Sequence, residues 1–109
     1  MSEFRLTPRD HGSTVSAHTG DTIVVELPEI PTTGYRWAVA SDNSILSVDQ
    51  DNFQISNAET VGGGGIRIFH FTARRPDDFE LRLTLVRPWQ PNLVRETFRV
   101  RVHITASPQ

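Results

Sequence analysis

The chain contains no cysteine in its 109 residues. Disulfide scaffolds, thiolate metal sites and cysteine nucleophiles are therefore excluded, and any stacked sheets must hold together by packing alone. Neither acidic nor basic residues dominate, with 13 Asp+Glu against 11 Lys+Arg. The formal net charge is −2 and the isoelectric point is near 6.0, so neither nucleic acid nor a membrane surface is an expected partner. No apolar run approaches the length of a bilayer span. The opening Met1-Ser2-Glu3-Phe4-Arg5 lacks the charged and apolar regions of a secretory signal. The chain as given is expected in the cytoplasm, or in the periplasm or outside the cell if a signal has been trimmed from it. His11, His18, His70 and His103 are too scattered to suggest a metal site, and Asp49/Asp51 and Asp77/Asp78 read as solvated charge in turns without the further ligands of a calcium loop. No metal or cofactor is expected.

Helical periodicity is absent too, and period-two alternation takes its place. Only 37% of residues are hydrophobic, but they fall in patterned runs. Ile23, Val25 and Leu27 alternate with Thr22, Val24 and Glu26, as do Tyr35, Trp37 and Val39 with Arg36, Ala38 and Ala40. Leu81, Leu83 and Leu85 continue the pattern. In the last run Phe98, Val100, Val102 and Ile104 share one face, with Arg99, Arg101 and His103 on the other. Weaker strands are expected at Phe4 to Thr7, Thr14 to Ala17, Ile45 to Ile55 with a bend near Asp49 to Asn52, and Arg67 to Ala73. Turn-formers separate them at residues 19–21, 41–44 and 75–78, the expected places for any helical turn. This pattern predicts an all-β, immunoglobulin-like β-sandwich of about seven to eight strands, without a disulfide, as a single domain over 1–109. Trp37 belongs to its core. Arg99 and Arg101 make an exposed basic stripe, which would discourage pairing if the last strand is an edge.

Three connections depart from ordinary turn chemistry: Pro28 to Gly34, Thr60-Val61 with Gly62 to Gly65, and Arg87-Pro88-Trp89-Gln90-Pro91. If strands at 21–27, 35–40, 45–58, 66–73, 80–87 and 94–105 each reverse direction, all three emerge at one end of the sandwich. Two strands within 45–58 would instead send the glycine run to the other end. Prolines fix φ and lower the freedom lost on binding, Gly34 permits positive φ, and four successive glycines let another backbone approach. Trp and Arg, here Trp89 and Arg87, are common binding hot spots. Each stretch alone also has a bland reading: threonines as turn residues, glycines as a loose connector, Trp89 folded over the core end.

Taken in order, Pro31-Thr32-Thr33-Gly34-Tyr35 with Trp37, Gly62 to Gly65 followed by Phe69-His70-Phe71, and Arg87-Pro88-Trp89 resemble the chagasin-like family of cysteine-protease inhibitors. The resemblance spans roughly Gly20 to Ile104. It implies a monomeric, reversible inhibitor of papain-like cysteine proteases that plugs the active-site cleft with loops 30–35, 60–65 and 87–91. Pro31, Thr32, Thr33 and Gly34 would cover the catalytic cysteine and histidine. Thr60, Val61, Gly62, Gly63, Gly64 and Gly65 would lie along the cleft, and Arg87, Pro88 and Trp89 would pack on its primed side. The family usually has Asn before the Pro, where this chain has Ile30. Ile30 cannot brace the loop by side-chain hydrogen bonds; it either anchors the loop base in the core or touches the protease. An adhesion or carbohydrate-binding module with Trp89 stacked on a sugar is the alternative. An enzyme using a threonine nucleophile has no His or Lys near residues 32–33 to support it.

Overall fold

Strands with one apolar face can hide it by stacking on a second sheet, and this chain does so. The computed structural model describes residues 2–41, 44–55 and 64–107. Its strands are β1 (Glu3–Leu6), β2 (Thr14–His18), β3 (Thr22–Glu29), β4 (Arg36–Val39), β5 (Leu46–Ile55), β6 (Gly65–Ala73), β7 (Asp77–Val86) and β8 (Glu96–Thr105). They form two four-stranded sheets ordered β1-β3-β6-β5 and β2-β8-β7-β4. The first two strands join opposite sheets in parallel, β1 along β3 and β2 along β8, and the other pairings are antiparallel. This is the expected immunoglobulin-like sandwich, closed without a disulfide.

Ile23, Val25, Leu27, Phe69 and Phe71 from one sheet meet Trp37, Leu81, Leu83, Phe98, Val100, Val102 and Ile104 from the other, all buried. Burying each large apolar side chain contributes about 1.5–3 kcal/mol, so packing of this kind can substitute for a cross-link. Trp37 lies in the core as expected, and its indole Nε1 donates to the Pro28 carbonyl at 2.8 Å.

Several expectations are corrected. Pro28 and Glu29 extend β3 instead of opening a loop; past Val25 no described pairing joins β3 to β1, so that flank of β3 has no ladder for a proline to interrupt. Among the described residues the helical turns are single 3-10 turns at Pro8–Asp10 and Pro31–Thr33, both opened by proline, and not at the turn-formers of residues 19–21 and 75–78 where they were expected. Asp77 and Asp78 begin β7, and Asp49 and Asp51 lie within β5, so neither pair occupies a turn. The bend expected in β5 is a bulge between Val48 and Gln50. Finally β8 lies between β2 and β7, so the Arg99/Arg101 stripe guards no edge.

At the end of the sandwich opposite the three connections, Asp21 is buried and pins the chain's start. Its Oδ1 accepts from the Ser2 N–H and its Oδ2 from the His18 N–H, each at 2.9 Å. These bonds hold its carboxyl below the ordinary value of 3.8. Because the folded value is depressed, this stabilisation is complete above the unfolded value and disappears as pH falls through the folded one. Asp21→Asn, which keeps only one acceptor oxygen, is expected to lower unfolding free energy by about 1–3 kcal/mol at pH 7. In urea unfolding the deficit should begin to shrink below about pH 4, where the unfolded chain's carboxylate takes up its proton, and vanish once the native one protonates as well. An equal deficit at pH 3 and pH 7 would contradict this assignment.

Candidate functional site

Register alone fixes where the three connections emerge. Glu29, ending β3, pairs with Gly65, starting β6, which also pairs with Ile55, ending β5. In the other sheet Val86, ending β7, pairs with Arg36, starting β4, and Leu85 pairs with Glu96, starting β8. Counting residues 45–58 as one bent strand therefore gave the right polarity: β5 runs unbroken through its bulge to Ile55, and residues 56–58 fall outside those described. Thr60, Val61, Gly62 and Gly63 fall outside the described residues.

The first connection is stiff for local reasons. Pro31 starts the 3-10 turn, and Gly34 ends it in the left-handed region at φ +82°. The Gly34 N–H donates to the Pro31 carbonyl at 2.9 Å and the Thr33 N–H to the Ile30 carbonyl at 3.1 Å. The Thr33 hydroxyl also donates to the Ile30 carbonyl at 2.7 Å and accepts from the Tyr35 N–H at 3.2 Å. Thr33 thus supplies the side-chain brace that Ile30 cannot. Ile30 itself is 49% exposed, which rules out an anchor in the core. Thr32 is exposed at the tip.

The third connection is a tight turn in which the Gln90 N–H donates to the Arg87 carbonyl at 2.8 Å, with Pro88 presetting its first corner. Trp89 projects from it, 68% exposed, and does not fold back over the core. Arg87 ties this turn to the first connection. Its Nε donates to the Thr33 carbonyl at 3.1 Å, and its guanidinium carbon lies 4.4 Å from the Tyr35 ring centroid. Arg95 approaches the same ring at 5.2 Å. Trp89 lies over Gly34 so closely that a Cβ there would be 2.8 Å from its ring. Tyr35 therefore braces the loops through its ring.

Of the glycine run, Gly64 lies against β3, where a Cβ would be 3.0 Å from the Glu29 carbonyl oxygen and 3.1 Å from Ile30. Gly65 is corrected from loop to strand. It is buried in β6, and a Cβ would be 2.0 Å from the Gln54 carbonyl oxygen. Packing alone demands glycine at that position.

Beneath these loops is a charged group that sequence reasoning missed. Glu29 and Arg67 are 4% and 9% exposed. The Glu29 carboxylate accepts from Arg67 Nη2 at 2.7 Å and from the Trp37 N–H at 2.8 Å. Asp51 accepts from Arg67 Nη1 at 3.0 Å and sits 3.7 Å from Arg36. The hydrogen bonds from Glu29 raise the Arg67 guanidinium above its ordinary value against the opposing effect of burial. A signal was available: Glu29 continues the inward phase of Ile23, Val25 and Leu27, and Arg67 that of Phe69 and Phe71.

Among the described residues the large exposed hydrophobic side chains are Ile30, Ile55, Trp89, Leu93 and Val94, all at this end of the sandwich. Clustering of that kind marks an interaction surface more than scattered exposure does. Sequence reasoning named Trp89 and raised Ile30, but missed Ile55, Leu93 and Val94.

The family model for chagasin family peptidase inhibitors (I42) matches residues 16–103. Chagasin of Trypanosoma cruzi is 28% identical over 102 residues, covering 88% of this chain and 93% of its own. Amoebiasin-1 of Entamoeba histolytica is 26% identical over 99 residues, covering 91% and 97%. Among solved structures, a cysteine protease inhibitor from Entamoeba histolytica superposes with a TM-score of 0.85 at 23% identity, over 96% of this chain and 97% of that one.

The packing at Gly34 generates a test. Gly34→Ala must place a side chain at positive φ and displace Trp89. It is expected to cost about 1–2 kcal/mol from the backbone alone. Thermal denaturation should show the loss, and Trp89 fluorescence should shift as the ring leaves its seat. An unshifted spectrum would show that Trp89 does not rest on Gly34.

Proposed function

The chain belongs to the chagasin family of peptidase inhibitors; it is an inhibitor of cysteine proteases, not an enzyme, and from that premise we propose that three loops at one end of the sandwich fill the cleft of a papain-like target. In this reading residues 1–109 act as one monomeric inhibitor domain. Pro31 to Gly34 cover the catalytic pair, with Thr32 at the tip. Thr60 to Gly64 follow the cleft, and Arg87, Pro88 and Trp89 pack on the far wall.

The observation that carries the reading is the joining of the first and third loops into one body. The Arg87–Thr33 bond and the Trp89–Gly34 contact present their exposed apolar surface in a fixed arrangement. Papain-like enzymes attack with a thiolate beside an imidazolium, and cleavage needs a carbonyl carbon at attack distance with its oxygen in the oxyanion hole. Within the first loop, the Ile30 and Pro31 carbonyls are occupied by the turn's own N–H groups, and the Thr33 carbonyl by Arg87. With those three carbonyls committed, the loop can fill the cleft while holding them away from the oxyanion hole, so that the enzyme is blocked and not acylated. An interface of about 1,600 Å² in total is within reach of three loops.

Titration of papain and a cathepsin L-like protease with this protein, following a fluorogenic peptide, is expected to give stoichiometric, reversible inhibition with the chain left intact. Absence of inhibition at micromolar protein would overturn the reading. Trp89→Ala is expected to weaken binding by about 2 kcal/mol or more, as a hot spot would. An inhibition constant unchanged within error would remove Trp89 from the interface. Thr33→Val, isosteric but without the hydroxyl, should also weaken inhibition, while Thr33→Ser should restore most of it. Equal inhibition by all three forms would show that the brace is dispensable.

A further inference from the structure

The first loop leaves the sandwich after Glu29 in one sheet and returns at Arg36 in the other. Between these points Pro31–Thr33 is held by its own turn, but that turn does not fix how the loop stands on the domain. Besides the Trp37 indole on the Pro28 carbonyl, one carboxylate spans the gap. The carboxylate of Glu29, the last residue of β3, accepts the N–H of Trp37, inside β4, at 2.8 Å. The same carboxylate is gripped by Arg67, through Nη2 at 2.7 Å and Nε at 3.2 Å. Arg67 stands on β6 just beyond the glycine run, and it reaches on to Asp51, on β5 before that run.

Resting on the reading above, we propose that Glu29 is a positioning residue for inhibition: with Arg67 and Asp51 it clamps the feet of the first two binding loops and sets the angle at which the Thr32 tip enters the cleft. Four strands from both sheets meet at this one charged group. Its members touch no protease in that reading. They act through the loops they hold, by removing freedom that binding would otherwise have to remove.

A clamp differs from a merely stabilising contact in a measurable way. Replacing a buried ion pair by apolar residues of similar length often leaves stability unchanged or higher, because desolvation of the charges is avoided. Methionine in both places would fill the space yet offer nothing to the Trp37 N–H. In Glu29→Met/Arg67→Met, amide exchange at Trp37 in the free protein should speed up about tenfold or more while the melting temperature stays within a few degrees. The inhibition constant for papain should rise about tenfold or more, and slow cleavage within residues 31–34 should appear. Unchanged exchange and an unchanged inhibition constant in a folded double variant would overturn the proposal. If that variant does not fold, Glu29→Gln decides. It keeps one acceptor oxygen for three N–H donors and should give an intermediate loss in both readouts, whereas wild-type values in both would overturn the clamp. A wild-type protein that fails to inhibit papain would sink the inhibitor reading alone, since exchange at Trp37 tests the clamp without any protease.

Discussion

Two charges taken out of water at the mouth of the core set the terms for the rest of this end of the molecule. Glu29 and Arg67 occupy inward-facing positions that alternation would give to apolar residues. Leaving either without the other would strand a buried charge, at a cost of about 3–5 kcal/mol. The pair is therefore tolerable only if the geometry around it is kept. That requires Trp37 to offer its N–H, Asp51 to face inward and the first loop to begin and end where it does. Asp51 faces inward because of the bulge at Asp49. Before it Leu46 and Val48 pair with the inward residues Ala73 and Phe71; after it Asp51 and Phe53 pair with Phe69 and Arg67. One extra residue changes the phase of β5 and turns a carboxylate toward the guanidinium.

The tip is organised differently from its base. Below, buried charge fixes the feet of the loops. Above, Arg87 and Trp89 bind two loops to each other at the surface, where a single exposed ion pair would contribute little. Arg87 avoids that weakness by spending its guanidinium on a backbone carbonyl and an aromatic face together, both of which need its planar, delocalised shape. Gly34 serves both levels. Its positive φ closes the turn, and its missing side chain leaves the seat that Trp89 occupies.

Much of this was readable from the residues. The strands of both sheets, the core position of Trp37 and the end at which the loops emerge followed from period-two alternation and strand reversal. The bend in β5 was read near Asp49, but not its consequence, because a bulge shifts phase without leaving a mark in a strict alternation pattern. Treating Asp49/Asp51 and Asp77/Asp78 as turn charge failed for the same reason: acidic pairs favour turns locally, and here tertiary pairing overrides that preference. Asp51 found Arg67, Asp49 found Thr72 and Arg74, and Asp78 found His103. Opening the first loop at Pro28 gave a proline more authority than it has on a strand flank with no ladder to break. The buried pair went unseen because a charge at an inward phase reads as noise until its partner on a distant strand is known.

The departure at Ile30 becomes intelligible in this frame. An asparagine before the proline, usual in the family, would brace the turn through its side chain. Here the Ile30 carbonyl takes two donors from Thr33, and the feet of the loop are fixed by Glu29 one residue earlier. Position 30 is thus relieved of structural duty and can carry an apolar side chain in the open, against Gly64 and at the same end as Ile55 and Trp89. Stiffness and surface chemistry, which one asparagine would have to combine, are here divided among neighbours. With that division the shape of the loop rests on Thr33 and Glu29, not on the side chain at position 30.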